Sequence, residues 1–598
     1  MIHTFHIPVL GLGYSIDTPL KVAPYGISST VSIVDDHLVE RMRAFHAVEN
    51  DKPFTPISLK EEDHRAKRIT AYLNLLDELV GEKFENLRQQ SFEDGSDLQR
   101  YFELLPATSN LHVQYTEMLA EADDAQKLAL QFNLRNQLTK GSIDANIMSK
   151  VDKVNFDADG ANLGEKFSDA LASLRGFANS DLNAAVIMSA GLNPRLYSYL
   201  EEFPDFFPSG DEQPKKKIIL KVSDFRSAFI QAKFLAKKGL WIHEFRIESG
   251  LNCGGHAFAT EGYLLGPILE EFKQKRQQMT SELFESYQSA LQIKNMVASK
   301  QPITRFTVQG GIGTADEDAF LTEYYELDGT GWGSPFLLVP EATNVDTNTL
   351  DLLCEADEMD YYVSGSSPLG IPFNNFRKSS GESQRLERIA KGRPGSPCTK
   401  KFLVTNTEFT EKPICVASRE YQKLKLQQLE SAELPANDRL KQFNLITEKV
   451  CLCQGLSSTA YINNGILKPR ENPAVTICPG PNTAYFNRVY SLDEMVSHIY
   501  GKINLLAGIS RPSLFINELK LYVEYFKKDL DTSSKSLTAK KAKQLEKFKA
   551  ELLNGIDYYG GLIKEFKSEV EAASNKQLNQ FKTLINMCVI AEVNFIER

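Results

Sequence analysis

The chain has 598 residues, 42% of them hydrophobic and 24% charged, with a net charge of −10. This is ordinary globular composition, long enough for more than one domain or for one domain with heavy insertions. The acidic balance argues against a general nucleic-acid or anionic-membrane binder, the N-terminus lacks the basic and apolar stretches of a signal peptide, and no apolar run reaches membrane-span length. A soluble, cytoplasmic protein is expected.

Residues 7–34 alternate short apolar runs with turn residues ("IPVLGLG", "PLKVAPYG", "STVSIV") and predict strands and loops. From about 36 to 135 the period becomes helical: "RITAYLNLLDELVGEKFENLRQQ" spaces Ile69, Tyr72, Leu73, Leu76 and Leu79 close to one helix face. Residues 36–139 are therefore expected to form a helical insertion. Over 140–345, apolar segments of strand length recur at 184–191, 216–224, 239–250, 303–313 and 326–342, with helical stretches such as 225–239 and 267–292 between them. Strands buried on both faces and alternating with helices predict a parallel sheet. Several end in Gly-rich loops, where a (β/α)8 barrel places its ligands. The expected class is thus α/β, a (β/α)8 TIM barrel built from residues 1–35 and 140–345; a doubly wound open sheet is the competing architecture. Residues 346–510 read as loop-rich. Residues 511–598 predict amphipathic helices broken near Gly560-Gly561, with a solvated Lys-rich face. These helices need something to pack on, which leaves room for a homo-oligomer.

The eight cysteines are Cys253, Cys354, Cys398, Cys415, Cys451, Cys453, Cys478 and Cys588. A disulfide framework is not expected in so long a chain without a signal. Cys398, Cys415, Cys451, Cys453 and Cys478 fall on Pro/Gly-rich loops, on which several sulfurs can converge. The preferred reading is a [4Fe–4S] cluster held by four of these five. Zinc is the alternative, and unliganded buried thiols a third reading. The spacing matches neither the ferredoxin pattern nor a Cys-x2-Cys zinc ribbon.

Two segments carry a family likeness. "LNCGGHAF" (251–258) resembles the Ala-Gly-Gly-His loop of the nitronate monooxygenase (2-nitropropane dioxygenase-like) flavoproteins, a group that also contains flavin-dependent enoyl-acyl-carrier reductases. "ITRFTVQGGIGTADEDAFLTEYYELDGTGWGSPFLLVPEA" (303–342) resembles the family's next segment: a strand ending in Gly-Gly-Ile, a helix, and a strand leading into Gly-Thr-x-Phe-Leu. "TPLKVAPYGISS" looks like the first barrel strand and loop. The resemblance covers residues 1–35 and 180–345.

The resemblance implies an FMN barrel. Its phosphate loops correspond to Gly310, Gly311, Gly333 and Ser334. A Gly-rich loop ahead of a helix, with Gly313 as its third glycine, is also what close approach of backbone N–H groups to a phosphate requires. The resemblance makes His256, behind Gly254 and Gly255, the catalytic base, and a neutral imidazole suits proton transfer near pH 7. Lys221, inside an apolar strand, would face the flavin pyrimidine edge, or else pair with Asp224 or Glu248. The chain departs from the family at Asn252-Cys253, where Glu-Ala is usual, and at Ala257-Phe258, which puts substrate and reaction in doubt. The expected function is an FMN-dependent oxidoreductase acting on a small molecule, with an electron-transfer partner or NAD(P)H and no nucleic-acid or membrane partner. The alternatives are a non-redox phosphate-binding barrel enzyme and a catalytically silent scaffold.

Overall fold

The computed structural model describes residues 2–157, 159–189, 191–209, 213–254, 261–533 and 538–565, without the side chains of 532, 533 and 563–565. Eight parallel strands close a barrel in chain order: β1 (Phe5–Ile7), β2 (Ser28–Ser32), β3 (Ile143–Ile147), β4 (Ala185–Met188), β5 (Lys217–Val222), β6 (Ile242–Glu248), β7 (Arg305–Gln309) and β8 (Gly329–Gly331). Closure runs through β1 against β8, with His6 opposite Gly331. Helices follow the strands, as in Phe225–Ala236 after β5 and Leu265–Ile293 after β6. The expected (β/α)8 architecture is the observed one.

The strands are not apolar on both faces. Side chains alternate with period two, and on β6 the odd residues Phe245 and Ile247 join the main core while Glu244, Arg246 and Glu248 are buried opposite them. Inside the barrel lie a small apolar cluster of Ala185, Ile187 and Ile219 and, beside it, a charged layer. Arg246 Nε donates to Glu244 Oε1 at 2.8 Å, and Thr307 Oγ1 donates to the same oxygen at 2.7 Å. Burial works against the Glu244 charge, but Arg246, His6 and Arg305 outweigh it and hold the carboxyl at about 2. Removing one partner of such a pair costs ~3–5 kcal/mol, because the other charge is left buried alone. β3 has no apolar signature for the same reason: its alternate residues Asp144 and Asn146 are buried polar groups.

"TPLKVAPYGISS" is not the first strand. Asp17 precedes the helix Thr18–Val22, and Pro19 sits in its first turn, where the missing N–H costs nothing. The strand is Phe5–Ile7, ahead of it. The helical insertion divides in two. Helices Asp36–Glu49 and His64–Gln89 place Leu38, Met42, Ile69, Tyr72, Leu73 and Leu76 in the barrel's main core; Arg65 and Arg68 on Asp36 tie the two helices to each other, and Arg65 reaches Asp169 and the Val34 carbonyl beyond them. The rest packs around its own cluster, which includes Leu98, Tyr101, Phe102, Tyr115 and Met118. Residues 346–510 hold an antiparallel pair, β9 (Tyr361–Ser364) and β10 (Phe373–Phe376), and several capped helices. Near the C-terminus, helix Ala539–Glu565 runs unbroken through Gly560-Gly561. Two glycines cost ~2 kcal/mol of helix propensity, but Leu552, Ile556, Tyr559 and Leu562 are buried against helix Leu514–Ser533 on either side of them. No helix among the described residues is long and apolar enough to cross a membrane.

Candidate functional site at the barrel mouth

The C-terminal strand ends form a mouth with two unlike sides. On the β7–β8 side the Gly-rich loops stand where the resemblance implies a phosphate cradle. Gly310 and Gly311 take positive φ, at 104° and 83°, which a side chain rarely adopts. A Cβ on Gly311 would lie 2.5 Å from the Leu251 side chain, and one on Gly313 would lie 2.6 Å from the Arg511 guanidinium. A Cβ on Gly333 would meet Cys253 Sγ at 2.4 Å, and one on Gly480 would meet Ser334 Oγ at 2.7 Å. These close approaches are all to the chain itself.

The charges agree with that packing. Asp316, Glu317 and Asp318 occupy the first turn of helix Ala315–Tyr324, where an anion would otherwise be favoured. Glu317 Oε2 accepts the Gly313 N–H at 2.8 Å, the donor a phosphate would need. Glu317 Oε1 pairs with Arg511 Nη1 at 2.7 Å, and Arg511 also reaches Asn482 Oδ1 at 2.8 Å and the Gly311 carbonyl at 2.5 Å. Asn482 Nδ2 donates to the Ile312 carbonyl at 2.9 Å. His498 Nε2 is 2.9 Å from the Gly313 carbonyl while its Nδ1 accepts from Leu505 N at 3.2 Å, which assigns the proton to Nε2. Burial lowers this imidazole's pKa. Among the loop residues Gly310, Gly311, Gly313, Gly333 and Ser334, a carboxylate therefore already takes the Gly313 N–H. Arg511 and the 478–482 segment pack against Gly311, Gly313 and Ser334.

On the β3–β6 side the polar groups are unfinished. Lys221 lies at the end of β5 and pairs with Glu248 Oε1 at 2.7 Å, not with Asp224, which caps the next helix. The same oxygen accepts Asn252 Nδ2 at 2.6 Å and Gln309 Nε2 at 2.7 Å. Glu248 Oε2 is buried with no partner, as is Asn146 Oδ1 from the end of β3. Lys150 is exposed just past β3. Ser149 and Ser189 join hydroxyls at 3.1 Å above β3 and β4. Sequence reasoning noticed Lys221 but gave Glu248 only a pairing role, and it missed Asn146, Arg511, Glu317 and His498. A carboxylate repeated at i and i+4 on one strand, Glu244 and Glu248, is the signal that could have found the inner face.

Gly254 has a positive φ of 63°; a Cβ there would lie 2.4 Å from the Val9 carbonyl. Its N–H donates to the Cys478 carbonyl at 3.0 Å. Cys253 is buried, which pushes its thiol above its ordinary range and makes it a packed small residue. Gly255 and His256 lie outside the described residues. The loop that carries them is clasped at its base by Glu518 of helix Leu514–Ser533. Its carboxylate accepts Ser249 Oγ at 2.9 Å and Gly250 N at 3.2 Å where the loop begins, and Leu265 N at 2.7 Å where it ends. Burial raises Glu518 to about 7 against the pull of these three donors.

The five candidate metal cysteines separate. Cys398, Cys415, Cys451 and Cys453 meet in one cluster over the β1–β3 strand ends, with Leu12, Val34, Met148 and Val151. Cys478 belongs instead to the main core with Cys253 and Tyr14; the 478–482 segment carries it to the other side of the mouth. Among the described residues no three His, Cys, Asp or Glu side chains already stand in metal-binding geometry.

No family model matches this sequence, and no curated protein does. One solved structure with some likeness is the enoyl reductase domain of MlnA from the macrolactin biosynthesis cluster of Bacillus amyloliquefaciens. It shares 14% identity at a TM-score of 0.33, over 63% of this chain and 84% of that one. A likeness of this size carries no argument about activity.

Proposed function

We propose that this chain is a barrel enzyme that performs proton transfer on a small polar molecule, at the Lys221–Glu248 pair on the β3–β6 side of the mouth. The observation that carries the reading is Glu248 Oε2, the unpartnered oxygen of a buried carboxylate whose other oxygen already accepts three donors. A buried acceptor without a partner costs ~1–3 kcal/mol, and a substrate N–H or O–H would relieve that cost. Asn146 Oδ1 offers a second acceptor. Lys221 holds the carboxylate in place and balances charge that develops on the substrate, while Lys150 supplies a mobile cation at the entrance. The bare oxygen is the atom that would take the substrate proton. His256, which lies outside the described residues, is by resemblance the partner that returns the proton.

A second reading, flavin-dependent redox chemistry, is favoured by one observation: the two main resembling segments, 251–258 and 303–342, supply the loops after β6, β7 and β8 and so lie on neighbouring strand ends. It is opposed by the Glu317 carboxylate on the Gly313 N–H, and no step is assigned to a flavin. The test is thermal stabilisation of the full-length protein by a panel of small polar metabolites and by FMN, with Glu248→Gln in parallel. The proposal expects a metabolite that stabilises the wild type and loses at least tenfold in affinity in Glu248→Gln, with no uptake of FMN. Stoichiometric FMN in the purified protein would overturn it in favour of the second reading. No ligand at all would favour a silent scaffold.

A further inference from the structure

Of the cysteines over the β1–β3 strand ends, Cys398 and Cys415 form a pair, and main-chain clamps bring them together. Ser396 N donates to the Ala417 carbonyl at 3.0 Å and Arg419 N returns to the Ser396 carbonyl at 2.9 Å. Further out, Asn406 and Ile414 exchange both of their backbone bonds, at 3.0 and 2.8 Å. The two side chains pack in one cluster, and their thiols are hydrogen-bonded to each other. Cys398 takes a left-handed φ of 56°, which residues other than glycine rarely adopt.

The pair is unequal. Cys415 is buried, whereas Cys398 is half-buried between the exposed Pro397 and Thr399. The Cys415 S–H, donated to Cys398, holds the Cys398 thiol below its ordinary range. Burial opposes this, while the Lys401 N–H and the charges of Lys401 and Lys153 add to it. The same hydrogen bond, together with burial, pushes Cys415 up. Burial also pushes up Cys451 and Cys453, which line the same cluster. One reachable sulfur is thus disposed to ionise, and its hydrogen-bond partner keeps a proton. A nucleophilic thiolate touching a second, protected thiol is what two-step thiol–disulfide exchange requires.

We propose that Cys398 and Cys415 are a reversible dithiol–disulfide couple, with Cys398 the attacking and Cys415 the resolving sulfur, oxidised by a low-molecular-weight disulfide. The Cys398 thiolate attacks one sulfur of that disulfide, RSSR. An S–S bond forms to Cys398, the bond within RSSR breaks, and one thiolate RS⁻ leaves. Cys415 then gives up its proton and attacks the Cys398 sulfur, which expels the second RS⁻. Two electrons pass from the protein pair to RSSR, and the two thiol protons end on the two RSH released. The new bond closes the 398–415 loop, which carries Lys400 to its ion pair with Asp35 just past β2. Redox state thereby sets how firmly this segment is fixed over the strand ends. This inference is independent of the proton-transfer reading.

The test treats reduced full-length protein with glutathione disulfide. Peptide mass analysis should find a Cys398–Cys415 crosslink that dithiothreitol reverses. Cys398→Ser should slow the reaction of this site at least tenfold. Cys415→Ser should stop at a stable glutathione adduct on Cys398, and Cys453→Ala should crosslink as the wild type does. Where a variant fails to fold, the wild type decides: iodoacetamide at about pH 7 should label Cys398 at least tenfold faster than Cys415, Cys451 or Cys453. A crosslink from Cys398 to any other cysteine, a glutathione adduct that persists on Cys398 in the wild type, or no crosslink at all would overturn the proposal.

Discussion

The two sides of the barrel mouth solve the same problem in opposite ways. On the β7–β8 side a network from within the chain braces the Gly-rich loop: Glu317 answers Gly313 N, Arg511 answers Glu317, and Asn482 links Arg511 to the Ile312 carbonyl. On the β3–β6 side Glu248 Oε2 and Asn146 Oδ1 are left bare. Saturated polar networks add rigidity, whereas unsatisfied ones wait for a ligand. A Gly-rich loop is thus no proof of a ligand site; what matters is whether something in the chain already holds its donors.

The largest expected effect separates the two sides. Glu248→Gln should lower the rate on any identified substrate by roughly 10²–10⁴-fold, the usual contribution of a general acid or base. Arg511→Ala should leave that rate within about tenfold but destabilise the protein by ~3–5 kcal/mol in urea unfolding, because it strands Glu317 as a largely buried charge. If Arg511→Ala removed activity as completely as Glu248→Gln, the distinction between a working side and a filled side would collapse.

The next effect concerns the loop on the boundary. Glu518 titrates near 7 in the fold, against an ordinary carboxyl of 4.5. Between those values the folded state binds the extra proton, so stability should fall as pH rises from about 4.5 to about 7 and level off above that, by at most ~3 kcal/mol. Glu518→Gln should flatten this part of the stability–pH curve; an unchanged slope would place the titration elsewhere.

The smallest concerns the support of the filled side. Helix Leu492–Ile499 carries His498 and opens with a capping box of Ser491 and Glu494. Ser491→Ala should cost ~1 kcal/mol, read as a small fall in melting temperature with ligand affinity intact. A larger loss of affinity than of stability would mean that the two sides are coupled.

The barrel was legible because β4, β5 and the outer face of β6 carry consecutive or alternating apolar residues, and because the intervening helices keep a clear period. β3 was not, since Asp144 and Asn146 turn inward and erase the apolar signal. What braces the Gly-rich loop was not legible: glycines at strand ends look alike whether they admit a ligand or a neighbouring segment, and Arg511, which packs on Gly313, stands 194 positions beyond Glu317. Lys221 was visible as an anomaly in "IILKVSD", and its partner Glu248 was one of two carboxylates weighed. Which four of five cysteines gather was invisible, because it depends on clamps between residues such as Ser396 and Ala417 that no spacing rule encodes.

Glu518 also bears on the order in which the molecule is made. The chain has synthesised all eight strands once Gly331 is out, but the carboxylate that ties down the loop after β6 is 268 positions beyond Gly250. Asn374 and Cys478, which bind Gly250, Asn252 and Gly254, are made earlier. The carboxylate that joins the two ends of the loop is therefore the last of its ties to be synthesised, on a helix arriving from the far end of the polypeptide.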